Sequence, residues 1–164
     1  MNVPAGPRRW IGRTPETIRN NGCFACGPAN LRGLHLDVQN DGDVTYIEFT
    51  PDESWQGFGG VVHGGLVATV LDEVMAWELY GYDDFAVTGR MEITYRKLVP
   101  VGQRLRATAK LVLDRGRAKK VHAEIRDDKD TLLATADSLF ISIPKEQEAE
   151  LRRRYPDASV PGSL

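Results

Sequence analysis

The sequence has few cysteines, few histidines and no strong excess of either charge. Its 164 residues include two cysteines, three histidines, and 21 basic against 23 acidic side chains, for a net charge of −2. Proteins that bind nucleic acid normally carry a basic face, so this balance gives no electrostatic case for a nucleic-acid partner. Two cysteines without a recognisable signal peptide indicate a reducing compartment, and we expect a cytoplasmic protein.

Long hydrophobic runs are also absent. No stretch reaches the roughly 18 apolar residues that a membrane-spanning helix requires, so we expect no membrane partner. Apolar residues make up 41% of the chain and charged residues 27%, which is typical of a globular domain with a real core. Residues 1–15 are rich in proline, glycine and arginine and predict a flexible arm, whereas residues 144–164 predict a short charged helix and a tail.

One strongly apolar segment lies in the middle of the chain. It predicts a helix from Gly64 to about Tyr80, whose apolar residues cover more than half of its circumference, so we expect a sheet to cover it. Strand patterns occupy residues 34–38, 44–49, 91–95, 105–113, 121–125 and 132–143. This order predicts an α+β domain over residues 16–143, in which a curved antiparallel sheet wraps one long helix.

The start of the predicted helix has the features of an anion-binding site. His63-Gly64-Gly65 precedes the apolar run, and the first N–H groups of a helix lack partners while its dipole favours negative charge. Asp72 follows about two turns later. An amide that stabilises an oxyanion, together with a carboxylate, is what acyl transfer requires.

A series of motifs in fixed order extends this pattern. They are Cys23-x-x-Cys26-Gly27 leading to Gly33-Leu34, Gln56-Gly57, Val62-His63-Gly64-Gly65, Leu71-Asp72-Glu73, Thr88 through Tyr95, and Pro100-x-Gly102. Over roughly residues 20–143 the chain resembles the hotdog-fold thioesterases, in particular the phenylacetate-pathway (PaaI-type) acyl-CoA thioesterases. The resemblance implies a homodimer or tetramer, with active sites between the helix of one protomer and the sheet of another. It implies hydrolysis of a small or medium acyl-CoA without metal or other cofactor.

The resemblance also assigns roles to single residues. Asp72 matches the catalytic carboxylate, which acts as nucleophile or as general base for water. Gly64 or Gly65 would supply the oxyanion N–H, and His63 would orient the loop or help to bind the carbonyl. Gln56 matches a polar residue near the reacting carbonyl.

Further candidates surround this set. Thr88 lies sixteen positions after Asp72, where the family has a serine or threonine that reaches the carboxylate or its water from the partner subunit. Glu73, on the other rim of the apolar arc, is expected to give hydrogen-bond support or to contact substrate or an interface. Four basic residues near strand ends are candidates to bind the phosphates of coenzyme A: Arg90, Arg117, Lys119 and Lys120.

The Cys23-Phe-Ala-Cys26 segment is similar to a zinc or redox pair. Zinc usually takes four ligands, and two cysteines with three histidines in the whole chain make a poor set, so we expect no metal. A thioredoxin motif would need a βαβ context that the strand order lacks. We expect a compact turn packed beside the site.

Two other functions stay open. A hotdog hydratase or dehydratase would carry an aspartate and histidine pair in a local pattern that does not follow the first hairpin here. A non-catalytic acyl-CoA-binding or regulatory protein would normally add a DNA-binding helix pair. Residues 1–33 are too short and too rich in proline and glycine for such a pair.

Overall fold

The computed structural model describes residues 12–13, 22–80 and 85–154. Within these ranges the chain forms nine strands and two α-helices. The strands are β1 (Gly12–Arg13), β2 (Val38–Asn40), β3 (Thr45–Phe49), β4 (Gln56–Phe58), β5 (Val61–Val62), β6 (Ala86–Tyr95), β7 (Leu105–Arg115), β8 (Ala118–Asp127) and β9 (Leu132–Ser142). The helices are α1 (Gly64–Tyr80) and α2 (Lys145–Arg154), and a 3-10 turn spans Glu53–Trp55.

Seven of the described strands form one antiparallel sheet, in the order β1-β2-β3-β7-β8-β9-β6, and β4 and β5 form a separate hairpin. Helix α1 packs on this sheet and contacts β3, β6, β7, β8 and β9. The architecture confirms the prediction of one long helix covered by an antiparallel sheet, and the bounds of α1 match the predicted ones.

Small residues let the helix approach the sheet closely. The strand positions beneath α1 include five alanines that are at most 1% exposed: Ala107, Ala109, Ala123, Ala134 and Ala136. Larger side chains of the helix fill the space above them, and Val70, Leu71, Val74 and Met75 are completely buried. The small strand residues and the large helix residues together make the core.

A buried polar network fixes the C-terminal part of α1. Glu78 is 1% exposed, and its carboxylate accepts hydrogen bonds from the Thr45 hydroxyl at 2.7 Å and from the Leu111 N–H at 3.1 Å. The Asn40 amide donates in turn to the Thr45 hydroxyl at 2.9 Å. A register shift between Leu111 and Leu113 accompanies the Leu111 bond. These bonds offset the cost of burying a carboxylate and tie the helix to three strands.

The predicted strand over residues 34–38 is wrong for most of its length. Strand β2 begins only at Val38, because the preceding residues follow the turn at residues 23–26 instead of the sheet. The N–H groups on either side of His35 donate to that turn, and His35 itself has a φ of 52°. Residues 51–62, a glycine-rich segment that carries no strand pattern in the sequence, contain the 3-10 turn and the β4–β5 hairpin.

The terminal segments are partly described. Strand β1 lies within the predicted arm, where it pairs with β2, and α2 is the helix predicted after Pro144. The other residues of the arm and the tail from residue 155 onward lie outside the described residues. In the described part of the chain, no helix has the length and apolar character that crossing a membrane requires.

Candidate active site

Helix α1 begins with a cap made by His63. The Nδ1 atom of His63 accepts a hydrogen bond from the Gly65 N–H at 3.0 Å, and its carbonyl oxygen accepts from Leu66 and Val67. A Cβ added at Gly65 or at Gly57 would lie 3.1 Å from an atom of His63. His63 can pack closely against both positions because they are glycines. The N–H of Gly65, one of the two predicted oxyanion donors, is therefore used within the cap.

The Gly64 N–H is the remaining oxyanion donor. No hydrogen-bond acceptor for it lies among the described residues. The carbonyl oxygen of Gly64 accepts a hydrogen bond from the Tyr95 hydroxyl at 2.9 Å, which links the start of α1 to β6. As the first residue of a helix, Gly64 directs its N–H along an axis whose dipole favours anions.

Asp72 and Thr88 form a short hydrogen bond. Asp72 is half-buried on α1, and its Oδ1 accepts from the Thr88 hydroxyl at 2.5 Å. This length is typical of a hydrogen bond to an ionised carboxylate. The bond lies within one chain, which corrects the expectation that Thr88 reaches the carboxylate from a partner subunit.

Strand β6 contains a bulge next to Thr88. Thr88 lies opposite Phe140 of β9, and Arg90 lies opposite Leu139, so the intervening Gly89 is the extra residue. Glycine suits this position because an added Cβ would lie 3.2 Å from the Leu139 carbonyl oxygen. Because of the extra residue, Thr88 and the residues before it in β6 lie on the opposite face of the sheet from the one that strict alternation would give them.

This change of face brings two side chains of β6 onto α1. Thr88 and Tyr95 are an odd number of positions apart, and an unbroken strand would direct them to opposite faces. With the extra residue between them, both meet the helix, Thr88 at Asp72 and Tyr95 at Gly64. Tyr95 is not among the predicted site residues, although its alternation with Met91 and Ile93 already places it on the helix-facing side of β6. Thr88 is the residue whose side the bulge decides, and the signal for it in the sequence is Gly89, because an isolated glycine in a strand indicates a bulge.

Gln56 lies in the loop that leads to His63. Its Oε1 accepts a hydrogen bond from the Gly60 N–H at 2.9 Å, and its backbone pairs with Val62 in the β4–β5 hairpin. The carboxamide oxygen thus closes the glycine-rich loop. This contact gives Gln56 a part in holding the loop before α1, in addition to the predicted role near the carbonyl.

The structure contradicts the prediction that Lys119 binds phosphate. Its side chain is 9% exposed, and its ammonium group donates to the Gly116 carbonyl and to the Ser142 hydroxyl. The same group lies 3.8 Å from a carboxylate oxygen of Asp114. Lys119 therefore stabilises the β7–β8 turn from within.

The other basic candidates are exposed. Arg90 and Lys120 both pair with Leu139, from the two sides of β9, which places them on the face of the sheet opposite to α1. The sheet therefore separates both of them from Asp72 of the same chain. Arg117 is exposed in the turn between β7 and β8.

Cys23 and Cys26 lie beside Glu73. The Sγ of Cys23 is 3.9 Å from Oε2 of Glu73, and Nε1 of Trp77 donates to Oε1 at 2.8 Å. Burial raises the pKa of Glu73 to about 7, and the charge of Cys23 adds to this effect. A hydrogen bond from the Cys26 thiol lowers the pKa of Cys23 to about 5, and the same bond, with burial, raises that of Cys26. Glu73 thus faces the cysteines and Trp77, which supports its hydrogen-bonding role, and its contact with substrate or an interface stays a prediction.

Comparison with known families identifies the central part of the chain. Residues 59–134 match the family model described as Thioesterase superfamily. Over these residues, a little less than half of the chain, the protein is similar to the thioesterase superfamily. The mouse acyl-coenzyme A thioesterase THEM4 is 33% identical over 93 residues, which are 56% of this chain and 40% of the mouse protein. The chain therefore spans less than half the length of that relative.

Solved structures support the fold. The crystal structure of one thioesterase superfamily protein matches with a TM-score of 0.67 and 24% identity, over 85% of this chain and 69% of that protein. The PaaI protein of E. coli matches with a TM-score of 0.64 and 19% identity, over 68% of this chain and 81% of PaaI. The predicted hotdog fold is confirmed.

Proposed function

We propose that this protein hydrolyses an acyl-CoA thioester, with Asp72 as the catalytic carboxylate and the Gly64 N–H as the oxyanion donor. The observation that carries the proposal is the 2.5 Å hydrogen bond from Thr88 to Asp72, on the helix that begins at Gly64. The superfamily match and the mouse relative, whose name is acyl-coenzyme A thioesterase, support the same reaction.

Coenzyme A as the leaving group is supported by neighbours of the same fold. A Streptococcus mutans protein, 20% identical with a TM-score of 0.59, was solved bound to acetyl-CoA, and a Streptococcus pneumoniae hypothetical thioesterase was solved with coenzyme A. The Streptococcus pneumoniae protein was also solved as two alanine variants, at an aspartate and at a threonine sixteen positions later. Asp72 and Thr88 have the same separation.

The chemistry needs an ionised carboxylate and a place for the developing negative charge. Asp72 attacks the thioester carbonyl, or it removes a proton from the water that attacks; Thr88 holds its Oδ1 in either case. The carbonyl oxygen becomes negative in the transition state, and the Gly64 N–H with the dipole of α1 stabilises it. The thiolate of coenzyme A then leaves, and water supplies the hydroxyl of the acid.

One chain does not bring these two groups to the same substrate. Asp72 lies eight residues after Gly64, which is about 12 Å along a helix. An oxyanion donor has to lie about 3 Å from the carbonyl oxygen, with the nucleophile next to the carbonyl carbon. We therefore include a homodimer in the proposal, in which Gly64 of one copy and Asp72 of the other form each site.

Strand β6 is the surface on which we place the second copy. It ends the sheet among the described strands, with hydrogen bonds to β9 on one side. A free edge of this length favours pairing with another chain. Val87 and Tyr95 on this strand are 48% and 52% exposed, so the edge is partly apolar. Pairing of β6 with its own copy gives a twofold dimer.

Hydrolysis of a panel of acyl-CoAs of increasing acyl length, followed by release of the free thiol, tests the reaction itself. We expect turnover of at least one member. If the protein binds acyl-CoA but releases no thiol from any member, the non-catalytic binding function replaces this proposal.

Mixed dimers test the shared site. Asp72→Asn and Gly64→Pro should each inactivate the protein, but a dimer with one copy of each keeps both intact groups in one of its two sites. Random mixing of the two inactive proteins should restore about a quarter of the wild-type turnover. No recovery after refolding the two together would contradict the shared site, and light scattering that finds single chains at micromolar concentration would contradict the dimer.

Thr88→Val keeps the shape of the side chain and removes its hydroxyl. We expect kcat to fall by about 10–100-fold, since a hydrogen bond to a charged group contributes about 1.5–3 kcal/mol. Thr88→Ser retains the hydroxyl and should keep most of the activity. Equal losses in both variants would assign the effect to the packing of β6 instead of to the bond with Asp72.

A further inference from the structure

Three metal-binding groups converge beside α1. The Sγ atoms of Cys23 and Cys26 and a carboxylate oxygen of Glu73 all lie within 4.8 Å of one another. Tetrahedral zinc, with bonds of about 2.3 Å to sulfur and about 2.1 Å to oxygen, separates such atoms by about 3.6–3.8 Å. The distance from Cys23 Sγ to Glu73 Oε2, 3.9 Å, is already close to this value. A contraction of at most about 1 Å brings all three atoms to zinc geometry.

The carboxylate of Glu73 is held in the orientation that a ligand needs. Nε1 of Trp77 donates to its Oε1, and Oε2 lies toward the sulfur of Cys23. Trp77 is 5% exposed and packs edge-on against Tyr80, so this donor is fixed in place. A hydrogen bond that orients the ligand from behind is a common feature of metal sites.

A tight turn holds the two cysteines in place. The Gly27 N–H closes this turn onto the Cys23 carbonyl at 3.0 Å. Cysteine binds zinc as the thiolate. Two sulfurs and a carboxylate also concentrate negative charge, which a divalent cation neutralises.

We propose that Cys23, Cys26 and Glu73 bind a zinc ion, with a fourth position for water or another ligand. The expectation of no metal counted only cysteines and histidines, and it did not include a carboxylate that the fold brings to the turn. The side chain of Glu73 is turned about 100° around the helix from that of Asp72. The metal therefore joins the turn to the helix and does not enter the proposed hydrolysis.

The full chain is reduced, stripped with a chelator and titrated with Co²⁺, which reports thiolate ligation by a strong near-ultraviolet charge-transfer band. We expect one Co²⁺ per chain and its displacement by Zn²⁺. Cys23→Ser and Cys26→Ser should each abolish the band, and Glu73→Gln should weaken Co²⁺ binding by about 10-fold or more. The exposed Glu53→Gln is the matched control and should bind like the wild type.

Two results would overturn the zinc site. One is the absence of a cobalt–thiolate band in the reduced wild-type protein. This result refutes the site even if oxidised glutathione converts the two cysteines into a disulfide in a separate experiment. The other is a band that survives in both serine variants. If a serine variant does not fold, alkylation of the wild type by N-ethylmaleimide tests the site instead. Zn²⁺ should slow the alkylation of both cysteines. Alkylation at an unchanged rate in the presence of Zn²⁺ would refute the proposal. None of these readouts depends on hydrolase activity.

Discussion

Asp72→Asn should lower kcat for acyl-CoA hydrolysis by ~10²–10⁴-fold, the usual range for a positioned acid or base. Asparagine keeps the volume of the side chain and can still accept the Thr88 hydrogen bond, but it serves neither as nucleophile nor as base. KM should change little, because the Gly64 N–H and the contacts with coenzyme A remain. Steady-state kinetics with the best acyl-CoA substrate measures both constants.

Glu73→Gln makes the same chemical change one position later. Its side chain faces Trp77 and Cys23, so we expect a much smaller effect on kcat. If Asp72→Asn retains full activity while Glu73→Gln has none, the catalytic carboxylate is Glu73. If both variants are fully active, the carboxylate mechanism is wrong, and acyl-CoA binding without hydrolysis becomes the better explanation.

Gly64→Pro should lower kcat by about 10²–10³-fold, which is the usual effect of losing one oxyanion donor. Proline removes the N–H, and the first position of a helix tolerates it because its fixed φ suits the helix. A Cβ at this position would lie 3.6 Å from the ring of Tyr95, an ordinary contact. Circular dichroism should therefore find α1 intact while kcat falls.

Gly64→Ala is the control for this substitution. Alanine places a Cβ at the same distance from Tyr95 but keeps the N–H. We expect kcat close to that of the wild type. A loss in Gly64→Ala as large as in Gly64→Pro would mean that the space beside Tyr95 matters, and that the N–H does not act as the oxyanion donor.

The helix and its start could be predicted from the sequence because they depend on local signals. The apolar pattern and the glycines after His63 are enough to place α1 from Gly64 to Tyr80. Asp72 and Thr88 could be chosen from their motifs, and their hydrogen bond agrees with that choice. That the bond lies within one chain depends on tertiary structure, which the motifs do not contain.

The rest of the site depends on strand register and on distant contacts. The bulge at Gly89 decides which residues of β6 meet the helix, and it exists only in the pairing with β9. Lysine is usually a surface residue, yet the position of Lys119 in the β7–β8 hairpin buries its side chain. Glu73 meets Cys23 across fifty positions of sequence, a contact that no local pattern indicates.

The position of β6 also sets the order in which the site can form during synthesis. Among the described strands, β6 pairs with β9, and β7 and β8 are made between them. Thr88 leaves the ribosome well before Phe140, the residue opposite it. Neighbouring strands β7, β8 and β9 can pair early as hairpins, whereas β6 has to wait for a contact across a long stretch of chain. A nascent chain that ends before Leu132 holds Asp72 and its helix but has no strand to hold Thr88, so the hydrolysis that we propose can begin only after the last strand of the sheet has been made.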